Sequence, residues 1–359
     1  MRSTALLALA VAFWPARAGA GQGVDWMLQL TLEGEKIEGK PLLWNESVVY
    51  LLGRDGRLWG FHPNDAADFR KSSNRFRSYL PSELRARLLR ELGNEYEVSG
   101  TSHYLVAHPR GQRDRWAGRF EDLYRSFVHD CSIRGFQPKK PPFPLVGIVC
   151  KDRGDFARYL ARQGMPVSAG VAGYYDVASN RIVLYDVGGR STSDRWQENA
   201  STVIHEATHQ TAFNAGVHSR YTPPPIWVAE GLATMFEAPG VYDSRHHTAE
   251  RDRVNRGQLE AFRALAESNT EAKILPEVIS SDRMFRSRPG SAYGLAWALT
   301  FYLVETQPRQ YSKYLALTAS RPPFSDYPAA ERLDDFTSGF GTNWAMLYAR
   351  LGRFVAALK

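Results

Sequence analysis

"VIHEATHQTAFNAG", residues 203–216, carries His205, Glu206 and His209 in the pattern H-E-x-x-H. Apolar Val203, Ile204, Ala207 and Ala212 lie around the pattern at helical spacing. Asp194, with Gln197 three residues on, has the form of a capping box, and Gly216 is placed to end the helix. On such a helix His205 and His209 share one face, displaced by roughly 6 Å along the axis. Both imidazoles then reach one ion while Glu206 points to its flank, where it can hold and deprotonate a water.

This spacing on a helix is a metalloprotease signature. In a chain with nine histidines it also arises by accident, in roughly one such chain in a hundred. A second observation is therefore needed, and "PPPIWVAEGLATMFE", residues 223–237, supplies it. Glu230 falls 21 positions after His209, in an apolar stretch that reads as a second helix with Ile226, Trp227, Ala229, Ala233 and Phe236 on its packing face. Pro223 to Pro225 stiffen the start of that helix. A carboxylate buried in such a face needs a partner, and a zinc ion is one. The expected ligand set is His205, His209 and Glu230 around one Zn2+, with water in the open fourth position; the alternative is a glutamate on a helix surface. Other third ligands fit less well. Ala212 and Ala215 stand where the metzincin pattern needs Gly and His. His218 lies just past the helix end, His246 and His247 sit in a charged segment, and His62, His103, His108 and His129 are isolated.

Around this core the sequence reads as an α+β protein. The first residues, 1–20, have the form of a secretory signal peptide: Arg2, an apolar run from Ala5 to Trp14, and an A-x-A-like site at Ala18-Gly19-Ala20. The run is about ten residues, against roughly 20 for a membrane span. The expectation is an exported protein, periplasmic or secreted. Residues 24–66 alternate short apolar runs with turn signals, including Asp55-Gly56, and read as a small β module. Residues 67–96 read as a polar connector with a short amphipathic helix. From 97 to 359 strands and helices alternate, and the chain turns mostly helical from about residue 245.

The formal net charge is +7 with 23% charged residues, and cleavage after Ala20 would remove two of the positive charges. The basic residues are scattered and accompany no nucleic-acid fingerprint, so no nucleic-acid partner is expected; weak association with an anionic cell-envelope surface is compatible with the charge. Cys131 and Cys150 are either one disulfide or two buried thiols.

"HEATHQ" together with "WVAEGLATMFE" resembles the gluzincin branch of the zincins, the thermolysin-like metallopeptidases. More closely it is similar to a bacterial group of exported, uncharacterised peptidase-like proteins with H-E-x-x-H followed by E-G-L-A. The resemblance covers roughly residues 97–310. It implies a zincin-like domain: a mixed sheet with an edge strand beside the cleft, the H-E-x-x-H helix, then a helical half. It implies that the strand Arg181, Ile182, Val183, Leu184, Tyr185 is that edge, pairing with an extended peptide or protein substrate. It also implies a group four residues after the ligand glutamate that orients a ligand histidine. Here that position is Thr234, a departure from the family's aspartate: the threonine hydroxyl can accept the hydrogen bond but without a full charge, and Glu237 is either a substitute or a surface residue. Tyr293, in "SAYGLAW", is the candidate second electrophile, ahead of Tyr174 and Tyr175.

The expected chemistry is hydrolysis of a peptide bond by a zinc-activated water with Glu206 as general base. Two alternatives have different content: a non-catalytic, zinc-stabilised envelope-binding protein, and a hydrolase of a non-peptide amide such as a cell-wall crosslink.

Overall fold

The computed structural model describes residues 25–165, 171–187, 196–268 and 273–358. The expected signal peptide and the cap residue Asp194 lie outside them. The described residues form two sheets and thirteen α-helices, an α+β architecture with an N-terminal β module and a helical C-terminal half. No described helix is long and apolar enough to cross a membrane.

By its contacts the chain divides into two compact units. The first contains the chain up to Arg87 with residues 142–144 and 176–180. Its sheet has the order β4-β3-β2-β1-β5, from strands β1 (Met27–Leu32), β2 (Glu35–Trp44), β3 (Val49–Gly53), β4 (Leu58–Phe61) and β5 (Ala66–Ser73). Leu28, Leu30, Ile37, Val49, Leu51 and Phe61 come from alternating positions and bury one face. The β3–β4 hairpin turns at Asp55-Gly56, where Gly56 has φ +87° and Asp55 Oδ1 accepts the Arg57 N–H at 3.0 Å.

Strand β5 corrects the sequence reading, which took this stretch as connector. Its sequence, AADFRKSS, is mostly polar, with Ala66 and Phe69 packed on the core and Phe69 edge-on to Trp44. A sheet-edge strand held by main-chain bonds to β1 needs no apolar alternation to form.

The second unit holds Leu88–Pro141, Leu145–Tyr175 and Arg181 onward. Its sheet runs β6-β7-β8-β10-β9, from β6 (Tyr96–Gly100), β7 (Tyr104–Pro109), β8 (Leu145–Cys150), β9 (Gly173–Asp176) and β10 (Arg181–Tyr185). β6 and β7 are antiparallel, whereas β7–β8 and β8–β10 are parallel. Parallel neighbours need crossovers, and helices Arg113–Ile133 and Arg153–Arg162 lie in those connections. β7 and β8 are buried at every position, as strands covered on both faces must be.

The sheet order also corrects the edge strand. Arg181–Tyr185 lies between β8 and β9, and the edge is β9, Gly173–Asp176. The two strands are joined through residues 177–180, where Asn180 takes φ +61°, a left-handed conformation asparagine tolerates. The apolar run RIVLY suits an interior strand, buried at four of its five positions.

Beyond the sheet, the motif helix Trp196–Asn214 packs on β10, and the glutamate helix Ile226–Phe236 packs on the motif helix. Helix Pro289–Thr306 is buried on nearly all sides and forms the centre of the helical core. Gly231 lets it approach: a Cβ there would lie 2.2 Å from Thr300 Oγ1 and 2.6 Å from the Ala296 carbonyl oxygen. Cys131 and Cys150 are separate buried thiols, not a disulfide. Cys131 packs in the helical core, while Cys150 ends β8 beside Tyr96, and burial pushes the Cys150 thiol up to about 12.

Candidate metal centre

The motif helix presents His205 and His209 one turn apart, and the glutamate helix brings Glu230 against them. His205 Nε2 and His209 Nε2 are 3.1 Å apart. Glu230 Oε2 lies 3.2 Å from His205 Nε2, and Glu230 Oε1 lies 3.5 Å from His209 Nε2. One ligand atom from each of the three residues falls within 4.8 Å of the others, so the group could hold a metal ion. The spacing suits one. Bonds of about 2.0–2.1 Å to a tetrahedral zinc place neighbouring ligand atoms roughly 3.3–3.4 Å apart. Glu230 Oε2 is buried, and its near neighbour is His205 Nε2 rather than a hydroxyl or main-chain N–H, so the positive partner of this oxygen is either that imidazole when protonated or an ion.

The electrostatics agree. Burial disfavours the Glu230 carboxylate, but its contacts with His205 and His209 outweigh that and hold it well below the usual range. Burial likewise works against a charged His205, yet Glu230 and Glu237 outweigh it and raise its pKa well above the ordinary value. The point between the three side chains therefore attracts positive charge, whether a proton or a cation.

His205 is oriented from behind by Glu237, whose Oε1 meets His205 Nδ1 at 2.8 Å. This fixes the tautomer that leaves Nε2 free for a metal. Thr234 does not do this work. Its hydroxyl donates to the carbonyls of Glu230 (2.7 Å) and Gly231 (3.2 Å) in its own helix, the usual fate of a helix-interior threonine. The expectation at Thr234 is thus corrected. The signal for Glu237 is in the sequence: seven residues after Glu230, it returns to the same helix face after about two turns.

Glu206 stands beside the ligands, and its Oε2 accepts the backbone N–H of Tyr175 at 2.7 Å. Edge strand β9 thereby fixes the orientation of this carboxylate. Tyr293 faces the cluster from the start of helix Pro289–Thr306, with its ring edge-on to Phe285 at 5.4 Å between centroids. Burial first, and then the Glu230 charge, push its phenol far above the usual range, so it stays protonated. Tyr174 is turned away, its hydroxyl donating to Met165 Sδ at 3.1 Å, and the Tyr175 ring is buried against Phe213.

The remaining histidines fall elsewhere. His218 is buried beside Phe213, and desolvation, with His209 nearby, pushes it down to about 3, so it is neutral. His246 pairs with Asp243 at 2.7 Å on the surface. Sequence reasoning missed two anchors. Asp282 Oδ1 accepts the Ile226 N–H at 3.1 Å and pairs with Arg332 at 3.0 Å, tying down the first turn of the glutamate helix. Asn255 bonds the helix's other end. Neither has a local sequence signal, because both act across long chain separations.

The fold and this cluster define a class, an α+β protein with a part-buried group of two histidines and one glutamate, a cradle that could hold a metal ion. Within it, a DUF1570 domain, described as "Protein of unknown function", is found at residues 199–325. That span takes in the three cradle residues, Glu206, Glu237, Asn255, Asp282 and Tyr293. Comparison of the chain with curated proteins gave no match.

Proposed function

We propose that this protein is an exported, zinc-dependent peptidase of gluzincin type, with His205, His209 and Glu230 as the metal ligands. The observation that carries the reading is the part-buried triad of donor atoms, 3.1–3.5 Å apart, with Glu206 at its flank. Zinc at that point would supply a Lewis acid that acidifies a water and polarises the scissile carbonyl.

The chain's own groups do the rest. Glu206, steadied through Oε2 by the Tyr175 N–H, takes a proton from the attacking water on its other oxygen. The water oxygen bonds to the carbonyl carbon, the C–N bond breaks, and Glu206 returns the proton to the leaving amine. Tyr293, protonated throughout the working range, donates a hydrogen bond to the oxygen on which negative charge develops. Strand β9 is the edge against which an extended peptide would lie, with main-chain pairing in place of side-chain selection. Export rests on the signal-like segment at residues 1–20.

The test pairs metal analysis with cleavage of a mixed peptide library. The wild type is expected to hold one zinc per chain and to lose cleavage on chelation. Glu206→Gln should keep the zinc while turnover falls by roughly 10²–10⁴, the range a positioned acid–base contributes. Equal turnover in the two proteins would remove Glu206 from its role. A zinc-loaded wild type that cleaves no peptide would remove the peptidase reading.

A further inference from the structure

Asn255 occupies the N-cap of helix Arg256–Glu267, and main-chain partners fix which way its amide points. Its Oδ1 accepts the Gln258 N–H at 3.3 Å, the ordinary capping bond. Its Nδ2 does two further things. It donates to the Thr234 carbonyl at 2.9 Å and to Glu237 Oε2 at 2.9 Å.

Both acceptors belong to the end of the glutamate helix. The Thr234 carbonyl would ordinarily receive the Ala238 N–H, but that group bonds Met235 O instead, so a last-turn carbonyl is left for Asn255. Glu237 is the C-cap residue of the same helix. A long side chain at a helix end has rotamer freedom that one contact to a histidine does not remove. With Oε1 on His205 Nδ1 and Oε2 on Asn255 Nδ2, both of its oxygens are held.

We propose that Asn255 is a positioning residue for the metal centre: acting through Glu237, it fixes the ring orientation and tautomer of His205 and so sets how tightly the cradle holds its ion. This rests on the reading of His205, His209 and Glu230 as metal ligands. The capping role alone does not account for the geometry, because a cap needs only the acceptor oxygen, and here both added bonds come from the nitrogen.

The two roles separate in one substitution. Asn255→Asp keeps the capping acceptor but turns the donor into a second carboxylate oxygen facing Glu237 and the Thr234 carbonyl. The readout is zinc affinity, measured by competition with a chromophoric chelator, with the unfolding midpoint of the metal-free protein alongside. Asn255→Asp should weaken zinc binding about tenfold or more, as loss of an orienting partner does, and should also lower the metal-free midpoint, because the Thr234 carbonyl loses its donor; the Glu237→Ala background separates the two effects. Asn255→Ser, which also caps but does not reach Glu237, should weaken binding in the same direction and serves if the aspartate variant folds poorly. In a Glu237→Ala background, Asn255→Asp should weaken binding no further. Unchanged affinity in Asn255→Asp, or an undiminished loss in the Glu237→Ala background, overturns the proposal and leaves the metal site standing. A wild type that binds no zinc overturns both.

Discussion

Two buried clusters in the second unit pair a glutamate with histidine, and they are built to opposite ends. In the first, Glu121 Oε2 accepts from Thr101 Oγ1 at 2.8 Å and the His103 N–H at 3.1 Å. Its Oε1 meets His103 Nδ1 at 2.9 Å and Arg125 Nε at 3.1 Å. The His103 ring stacks on Tyr124 at 4.0 Å. Each carboxylate oxygen has two partners, and the result is a latch on the turn between β6 and β7. In the second cluster Glu230 faces two imidazole Nε2 atoms, at 3.2 and 3.5 Å, and Glu237 meets the Nδ1 of one of them at 2.8 Å. Both set a glutamate carboxylate against imidazole nitrogen, with Glu121 the more deeply buried of the two acids (5% against 17% side-chain exposure). What differs is the positive partner: Arg125 stands on the Glu121 carboxylate, whereas Glu230 faces two imidazoles in a group that could hold a metal ion.

The sharpest way to break the comparison is to delete each carboxylate and measure zinc. Glu230→Ala removes one of three protein ligands and should lower zinc affinity by roughly three orders of magnitude or more. Glu121→Ala should leave affinity within about twofold, because its partners lie within the latch. Comparable losses in the two variants would mean that the ion is not held where Glu230 stands.

The cradle, unlike the latch, depends on two helices meeting closely beside a ligand. At Gly231, next to Glu230, an added methyl would collide with Thr300 Oγ1 and the Ala296 carbonyl. Gly231→Ala should therefore destabilise the fold by about 2 kcal/mol in denaturant unfolding, within the range for overpacking. It should also weaken zinc binding by displacing Glu230. A variant as stable as the wild type, with unchanged zinc affinity, would show that the close approach at Gly231 does not position the ligand.

These contrasts also explain what was legible in the sequence. The motif helix was, because three chemically specific residues at helical spacing sit among apolar ones; so was Glu230, an acid in an otherwise apolar run. The Glu121 latch was not, since its residues look like ordinary surface polars until the β6–β7 turn folds onto the helix Arg113–Ile133. Strand β5 was hidden because an edge strand held by main-chain bonds carries no apolar alternation. The edge position of β9, rather than β10, followed from parallel pairing across a crossover, which local patterning does not encode. Thr234 misled because a threonine hydroxyl in a helix finds its own carbonyl first. Asn255 and Asp282 had no local signal, as their partners lie 18–56 residues away.

The smallest expected effect is at the latch itself, and pH exposes it. Burial opposes ionisation of Glu121, but hydrogen bonds from His103 and Thr101 outweigh it and hold the carboxyl below the usual range. A carboxyl with a depressed folded-state pKa contributes stability above its unfolded pKa of about 4.3 and loses it as pH falls through the lower folded value. Glu121→Gln keeps the shape and one acceptor but removes the charge, and should cost on the order of 1 kcal/mol at neutral pH. That difference should shrink progressively as unfolding is measured at pH values from about 5 downward. The cradle behaves otherwise, because acid there returns protons to His205 and competes with the ion, so zinc affinity should fall with pH in wild type and Glu121→Gln alike. A Glu121→Gln penalty that stays constant into acid would show that the carboxylate's charge is not what the latch uses, and the distinction between the two clusters would then rest on the cradle alone.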